Sequence, residues 1–180
     1  MASAVRCVIA ALALTACSGS GSSTATSTAS TVDSSTTALS SHVGPPRVDL
    51  IHEAVTALET QLGGPQQYFE INATPQLVNL FVALNDGKLV QPWVYLDGEL
   101  SSTDARDASG LSFAATALDF DPDKVLSRIE AELPKSSPNV FFVEAGAGGV
   151  VRYSVGVTSQ QGGQLVVVVG PDGTVKSVDA

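Results

Sequence analysis

The chain has 180 residues, and its 18 acidic side chains against 9 basic ones give a formal net charge of −9. This acidic excess argues against nucleic-acid binding, because phosphate contacts need clustered lysine and arginine. The length predicts one domain, large enough to bury a core without cross-links. Both cysteines, Cys7 and Cys17, lie near the N-terminus, so we expect no disulfide framework and no cysteine-based metal site in that domain.

The first 17 residues carry the pattern of an export signal. Arg6 precedes an apolar run that ends in Leu14-Thr15-Ala16-Cys17, after which the composition changes to Ser, Gly and Thr. A basic start, an apolar run of roughly 7–15 residues and small residues at the cleavage site are typical of a secretory signal. The run is too short for a membrane-spanning helix, which needs about 20 residues.

The residues around the expected cleavage site resemble the signal of bacterial lipoproteins. Leucine stands three places before the cut, two small residues follow, and the cysteine comes last. The resemblance implies removal of residues 1–16 by cleavage between Ala16 and Cys17. It also implies a diacylglyceryl group on Cys17 and a fatty acyl chain, such as palmitate, on the new N-terminus. Since two or more acyl chains hold a protein firmly on a bilayer, we expect a lipoprotein anchored to the cell membrane on its extracytoplasmic face.

Residues 17–45 read as a lipidated cysteine followed by a disordered tether. About two thirds of residues 18–41 are Ser or Thr, and such a segment buries too little apolar surface to offset the entropy of ordering. Segments of this composition also carry O-linked sugars. Ordered structure is expected over residues 46–180.

The first half of the domain predicts one helix and three strands. Apolar residues recur at helical spacing over residues 47–62, and Gly63-Gly64 predicts the end of that helix. Strands are expected around residues 68–71 and over 77–84 and 89–96. Asn85-Asp86-Gly87 predicts a hairpin turn between the last two strands, and Pro92 indicates a sheet edge or a bulge.

The second half predicts a similar series after a polar loop over residues 101–110. The pattern over 111–118 fits either a strand or a helix. A second helix is expected from Asp121-Pro122 to Leu133, ended by Pro134. Strands are then expected over residues 140–144, 150–158, 164–169 and 174–178.

The two halves, about 46–110 and 111–180, match each other in order. Residues 53–62 align with 124–133, and residues 95–100 with 170–175, at an offset that drifts from about 71 to about 75 residues. This match favours a duplicated unit, although any helix followed by a meander would produce a similar one. We therefore expect an α+β fold of two helix-plus-antiparallel-meander units, with helices layered on sheet. One continuous sheet and two separate sheets are both compatible with the pattern.

The order of elements and the strand ending Tyr95-Leu-Asp-Gly-Glu-Leu100 resemble PepSY-like units of bacterial envelope proteins and their tandem form in secreted β-lactamase-inhibitor proteins. The chain is also similar to small lipoproteins of mycobacteria and their relatives. These resemblances imply a binding or inhibitory role at the cell envelope.

Residues suited to catalysis or metal binding are scarce. The domain has one histidine, His52, expected on the polar face of the first helix or at its boundary, and no nucleophile motif accompanies it. Asp119, Asp121 and Asp123 with Glu130 resemble a calcium loop, but Lys124 stands where that loop needs glycine. Capping of the second helix by Asp121 is the simpler interpretation. We expect no enzymatic activity, no cofactor and no metal.

Two glycine-rich stretches, residues 146–149 and 160–163, are expected to be hairpin connections, since no helix follows either one. Most aromatic residues are expected in the core, while Trp93 and Tyr95, beside Pro92, are the candidates for a partner-binding surface. The expected function is non-enzymatic binding of an envelope protein. The alternative is a carrier of an apolar ligand or lipid, which would need a cavity of several hundred Å³.

Overall fold

The structure is a computed structural model that describes residues 44–179. The predicted cleavage site at Ala16, the predicted lipid attachment at Cys17 and nearly all of the expected tether lie outside the described residues. Pro46 is buried, and Val48 belongs to the hydrophobic core.

Both predicted helices are present. Helix α1 spans Ile51–Leu62, preceded by a 3-10 turn at Val48–Leu50, and ends at Gly63, whose φ of 80° lies in the left-handed region. Helix α2 spans Pro122–Glu132. Neither helix in the described part of the chain is both long and apolar enough to cross a membrane.

Asp121 caps α2 as predicted. Its side chain accepts hydrogen bonds from the backbone N–H groups of Asp123 and Lys124, at 3.2 and 3.3 Å. Proline at the first helical position completes this N-terminus, because its missing N–H would have no partner there. Asp121 therefore stabilises the start of α2.

Ten strands follow the predicted pattern with some corrections. They are β1 Gln67–Ala73, β2 Val78–Leu84, β3 Leu89–Leu96, β4 Glu99–Ser102, β5 Arg106–Asp107, β6 Phe113–Ala114, β7 Ser136–Ala145, β8 Val151–Ser159, β9 Gln164–Val169 and β10 Val175–Asp179. The expected loop over residues 101–110 instead contains the end of β4 and all of β5. The ambiguous stretch 111–118 divides into β6 and a 3-10 turn at Ala115–Ala117.

All ten strands form one antiparallel sheet, so the fold is a mixed, sheet-dominated one with two helices. The strand order is β10-β9-β8-β7-β1-β2-β3-β4, while β5 pairs with β3 and β6 with β1. The central pair joins the two halves of the chain, with residues 70–73 of β1 opposite 141–144 of β7. On each side of this central pair the strands therefore follow chain order outward, as β1-β2-β3-β4 on one side and β7-β8-β9-β10 on the other.

One hydrophobic core lies between the helices and one side of the sheet. Residues of α1, including Ile51 and Leu58, and residues of α2, including Val125 and Ile129, belong to the same cluster of buried side chains. That cluster also holds alternate strand residues from both halves, such as Ile71 and its cross-strand partner Val143. Because all these residues share one core, both helices cover the same side of the sheet.

Each half carries a β-bulge at its first strand. In β1 the register with β2 shifts between Tyr68 and Glu70. In β7 the register with β8 shifts between Pro138 and Val140. A bulge tolerates proline, which explains why β7 begins at Ser136, before the strand that the sequence predicts from residue 140.

Pro92 lies in an internal strand, because β4 and β5 flank β3 on its outer side. Thr103 N donates to Pro92 O, so the side of Pro92 that lacks an N–H faces the interval between β4 and β5. The proline therefore marks an interruption in the neighbouring strand, whereas the sequence predicted an edge or a bulge in its own.

Candidate interaction surface

The side of the sheet opposite the helices, here called the open face, is the most extensive surface that the strands present. Cross-strand partners form three rows on it: Pro92-Phe81-Glu70-Glu144-Arg152, Val94-Asn79-Asn72-Phe142-Ser154-Val168, and Val140-Gly156-Val166. Neighbours along each strand alternate between this face and the core. The rows between these, for example Leu80-Ile71-Val143-Tyr153, are buried under the helices.

Three of the side chains in these rows are charged, namely Glu70, Glu144 and Arg152. Arg152 Nη2 donates to Glu144 Oε2 at 2.8 Å, across the β7–β8 pair. The other positions are apolar, amide, hydroxyl or glycine. The outer surfaces of the helices differ from the open face in charge: α2 by itself carries three exposed charged residues, Asp123, Lys124 and Arg128.

A chain of hydrogen bonds fixes the polar side chains in the first half of the open face. Asn79 Nδ2 donates to Asn72 Oδ1 at 2.7 Å, and Asn72 Nδ2 donates to Glu70 Oε1 at 2.6 Å. Asn72 is 8% exposed, so these bonds satisfy an amide that is almost out of reach of solvent. They hold the Glu70 carboxylate in one place.

Gly156 allows close packing in the other half of the open face. A Cβ at this position would lie 2.6 Å from Val140 Cγ1 and 2.8 Å from Asn139 Oδ1. Only a residue without a side chain accommodates Val140 there, next to the bulge in β7. Val166, the partner of Gly156 on β9, is 42% exposed, so this part of the face carries an accessible apolar side chain.

Trp93 and Tyr95, the residues that the sequence favoured for a recognition surface, are buried in the core at 7% and 3% exposure. That expectation is wrong, because both lie on the side of β3 that faces the helices, opposite Leu80 and Val78. Tyr95 OH donates to Glu53 on α1. Trp93 Nε1 is a buried donor with no partner in the described part of the chain.

A second tyrosine–glutamate contact joins the sheet to α1. Tyr68 OH donates to Glu59 Oε1 at 3.3 Å, and Gln66 N donates to the same oxygen at 3.0 Å. Burial raises the pKa of the Tyr68 phenol, and the adjacent Glu59 carboxylate raises it further. These contacts hold α1 against the first half of the sheet.

The residues that line the open face were not singled out from the sequence. Glu70 and Asn72 had a detectable signal, since they alternate with the buried Ile71 and Ala73. Phe81 had none, because residues 77–84 are apolar at nearly every position. Phe142 likewise follows Phe141, and nothing local distinguishes the buried ring of Phe141 from the half-buried ring of Phe142.

His52 is exposed on α1, as expected, and its ring stacks on Phe120 with centroids 5.0 Å apart. Phe120 in turn contacts Phe141 and Tyr153, at centroid distances of 5.5 and 5.6 Å. Tyr153 OH accepts a hydrogen bond from Asp119 N at 2.9 Å. These rings fill the space between the helices and the sheet.

The acidic residues near α2 form no metal centre. Among residues 44–179 there is no group of three or more His, Cys, Asp or Glu side chains that could hold a metal ion. Asp121 instead pairs with Lys124 at 2.6 Å. The hydrogen bond from Lys124 holds the pKa of Asp121 below its ordinary value.

The cavities found in the described part of the chain are grooves at its surface. One of about 490 Å³ is lined by Val151, Tyr153, Val168 and Val169 together with the charged Asp119, Arg152 and Lys176. Another of about 390 Å³ lies where Gly44 and Pro45 meet Pro134 and Pro138. Both volumes suit a small ligand, but neither groove has a purely apolar lining.

Comparison with known proteins places the chain in no family. No protein-family model matches it, and comparisons with curated proteins and with solved structures gave no match.

Proposed function

We propose that the protein is a lipoprotein of the cell envelope, anchored on the extracytoplasmic face, whose domain binds another protein through the open face. The observation that carries the proposal is a sheet with both helices on one side and a charge-poor, partly apolar surface on the other. The proposal of a lipid anchor is based on the residues around Cys17. Inhibition, which the resemblance to β-lactamase-inhibitor proteins implies, is one form of such binding.

The composition of the open face supports a protein partner. The centres of protein interfaces are enriched in aromatic residues. Phe81 and Phe142 are half-buried near the middle of this face, and they flank Glu70 and Asn72. The hydrogen bonds of Asn72 and Asn79 keep the polar groups between the rings paired, so a partner need not satisfy them.

The proposal of a non-enzymatic role is based on the histidine, cysteine and carboxylate side chains of the domain. Its one histidine, His52, stacks on Phe120 in the wall of the core. No cysteine lies in residues 44–179. The carboxylates Glu53 and Glu59 accept hydrogen bonds from tyrosines that hold α1.

The alternative is a carrier of an apolar ligand or lipid. Its best location is the groove of about 490 Å³ beside Tyr153, where apolar side chains lie next to Arg152 and Lys176. Against it, the space between the helices and the sheet is filled by Phe120, Phe141 and Tyr153. We therefore rank the carrier second.

We also propose that the two halves of the domain derive from one duplicated unit. Three observations support this: the strand order reads alike in both directions from the β1–β7 pair, each half has its helix before the central strand, and each central strand carries a bulge near its start. Bulges are usually retained within families. Relatives with only one half, pairing as dimers through the strand equivalent to β1, would support the proposal; relatives in which either half contains a different fold would contradict it.

Anchoring is tested by growing cells with a labelled fatty acid. The wild-type chain should incorporate label and lose residues 1–16, whereas Cys17→Ala should remain unlabelled and unprocessed. Mass spectrometry of the mature chain should then find acyl groups on residue 17. A mature wild-type chain with a bare Cys17 would contradict the anchor.

Binding is tested by comparing partner capture from envelope extracts by the full chain, Phe142→Asp and Leu62→Asp. Both variants place a carboxylate at an apolar position, but Leu62 is exposed at the end of α1, on the helix side of the sheet. Capture should be lost only with Phe142→Asp, with thermal unfolding showing that this variant is folded. Equal capture by all three chains, or co-purification of lipid alone in stoichiometric amount, would overturn the protein-partner proposal.

A further inference from the structure

The middle of the open face holds two carboxylates directly opposite each other. Glu70 and Glu144 are cross-strand partners in the central β1–β7 pair, an arrangement in which like charges destabilise the sheet. Arg152 pairs with Glu144. Glu70 accepts a hydrogen bond from the neutral Asn72 amide and forms no ion pair within residues 44–179. Among the described residues, one negative charge at the centre of the sheet therefore has no paired cation.

The surroundings of this charge are largely apolar. Phe81 is the partner of Glu70 on β2, and Pro92 is the next residue in the same row. Phe142 lies two residues before Glu144 on the same face of β7. When a partner covers such a surface and excludes water, an opposite charge at this point strengthens binding, whereas a neutral contact would leave a carboxylate desolvated and unpaired.

We propose that the protein partner presents a lysine or arginine side chain between Glu70 and Glu144, with apolar side chains beside it that contact Phe81 and Phe142. This inference rests on the proposed function, since it assumes that the open face is the binding surface. Charge complementarity selects the occupant. A second copy of this chain fits less well, because each copy carries a net charge of −9 and the same carboxylate pair.

The test uses a phage-displayed library of disulfide-constrained peptides, selected on the full chain purified in detergent. Peptides eluted from the wild type should carry a lysine or arginine next to aromatic or aliphatic residues. Synthetic copies should bind the wild type with a Kd that rises with NaCl concentration. Glu70→Gln should weaken their binding on the order of 10-fold and reduce the dependence on salt.

Glu130→Gln is the matched control, because it removes the same charge from an exposed position on α2 and should leave the Kd unchanged. Glu70→Gln keeps an oxygen that can accept from Asn72, so the fold should be retained; urea unfolding checks this. Peptides whose binding is lost in Phe142→Asp but equal in wild type and Glu70→Gln would overturn this inference and leave the proposed function standing. Selection of uncharged or acidic peptides on the open face would do the same. Failure to select any peptide that is sensitive to Phe142→Asp would count against both.

Discussion

Gly173 provides a sharp test of how the sheet is fixed to α2. It lies in the turn between β9 and β10 with a φ of +83°, and a Cβ there would lie 2.4 Å from Val125 O and 2.8 Å from Val125 Cα. The same turn is bound to the helix by Asp121 N donating to Pro171 O at 3.2 Å and Val175 N donating to Glu132 Oε2 at 3.0 Å. Gly173→Ala must therefore either displace the turn or shift the backbone of α2.

The chain offers a matched control in the equivalent turn of the first half. Gly98, between β3 and β4, has a φ of +85°, and a Cβ there would meet nothing within 4 Å. Gly98→Ala should cost only the left-handed backbone conformation, about 1–2 kcal/mol. Gly173→Ala adds the overlap with α2, worth about 1–3 kcal/mol, so its total should be about 2–5 kcal/mol.

Urea unfolding followed by tryptophan fluorescence measures both values. Trp93 is the one tryptophan of the chain and is buried, so its emission reports directly on loss of the core. The midpoint should fall further for Gly173→Ala than for Gly98→Ala. Equal destabilisation by the two substitutions would refute the packing of the β9–β10 turn on α2.

Three further predictions concern buried and capping groups. Trp93→Phe removes a donor that is buried without a partner among the described residues. It should lower the free energy of unfolding, followed by circular dichroism, by less than about 2 kcal/mol, well below the ~3–5 kcal/mol of a typical large truncation. A larger loss would show that the indole N–H has a hydrogen-bond partner. Asp121→Ala should lower the urea midpoint at pH 7 and have a smaller effect at pH 2, because the pKa of the capping carboxyl is lowered in the folded state and its stabilisation is lost as the pH falls through the folded-state pKa; an undiminished effect at pH 2 would contradict capping by the ionised form. The pKa of Tyr68 is raised in the folded state, so the neutral phenol contributes fully to the free energy of unfolding below the ordinary pKa of about 10, and this contribution is lost as the pH rises above that value. Unfolding titrations from pH 8 to 12 should therefore show a smaller loss of stability at alkaline pH in Tyr68→Phe than in the wild type. Parallel curves for the two chains would contradict this.

The helices and turns were predictable because their signals are local. Asp121-Pro122 fixes the start of α2 by satisfying or removing backbone donors, and Gly63 fixes the end of α1 by adopting a left-handed φ. Asn85, Asp86 and Gly87 likewise form the predicted hairpin turn, all with positive φ. Each of these effects involves residues within one turn of each other, so the sequence contains the whole argument.

The pairing of β1 with β7 and the location of the open face were not predictable in this way. Both depend on contacts between residues far apart in the chain, such as Glu70 with Glu144. Trp93 and Tyr95 illustrate the consequence: the alternation in β3 separates two sets of side chains, but only the position of α1 decides which set is buried. A neighbouring proline carried no information about that choice.

The central β1–β7 pair also has a consequence for how the chain folds. Each half can close its own hairpins early, but the seam at residues 70–73 and 141–144 forms only when segments about 70 residues apart meet, a contact that slows folding. Until then β1 and β7 are both unpaired edges, and either can join the complementary edge of another molecule. A deletion that shortens the connection between β5 and β6 should therefore favour exchanged dimers, in which each seam joins two different chains.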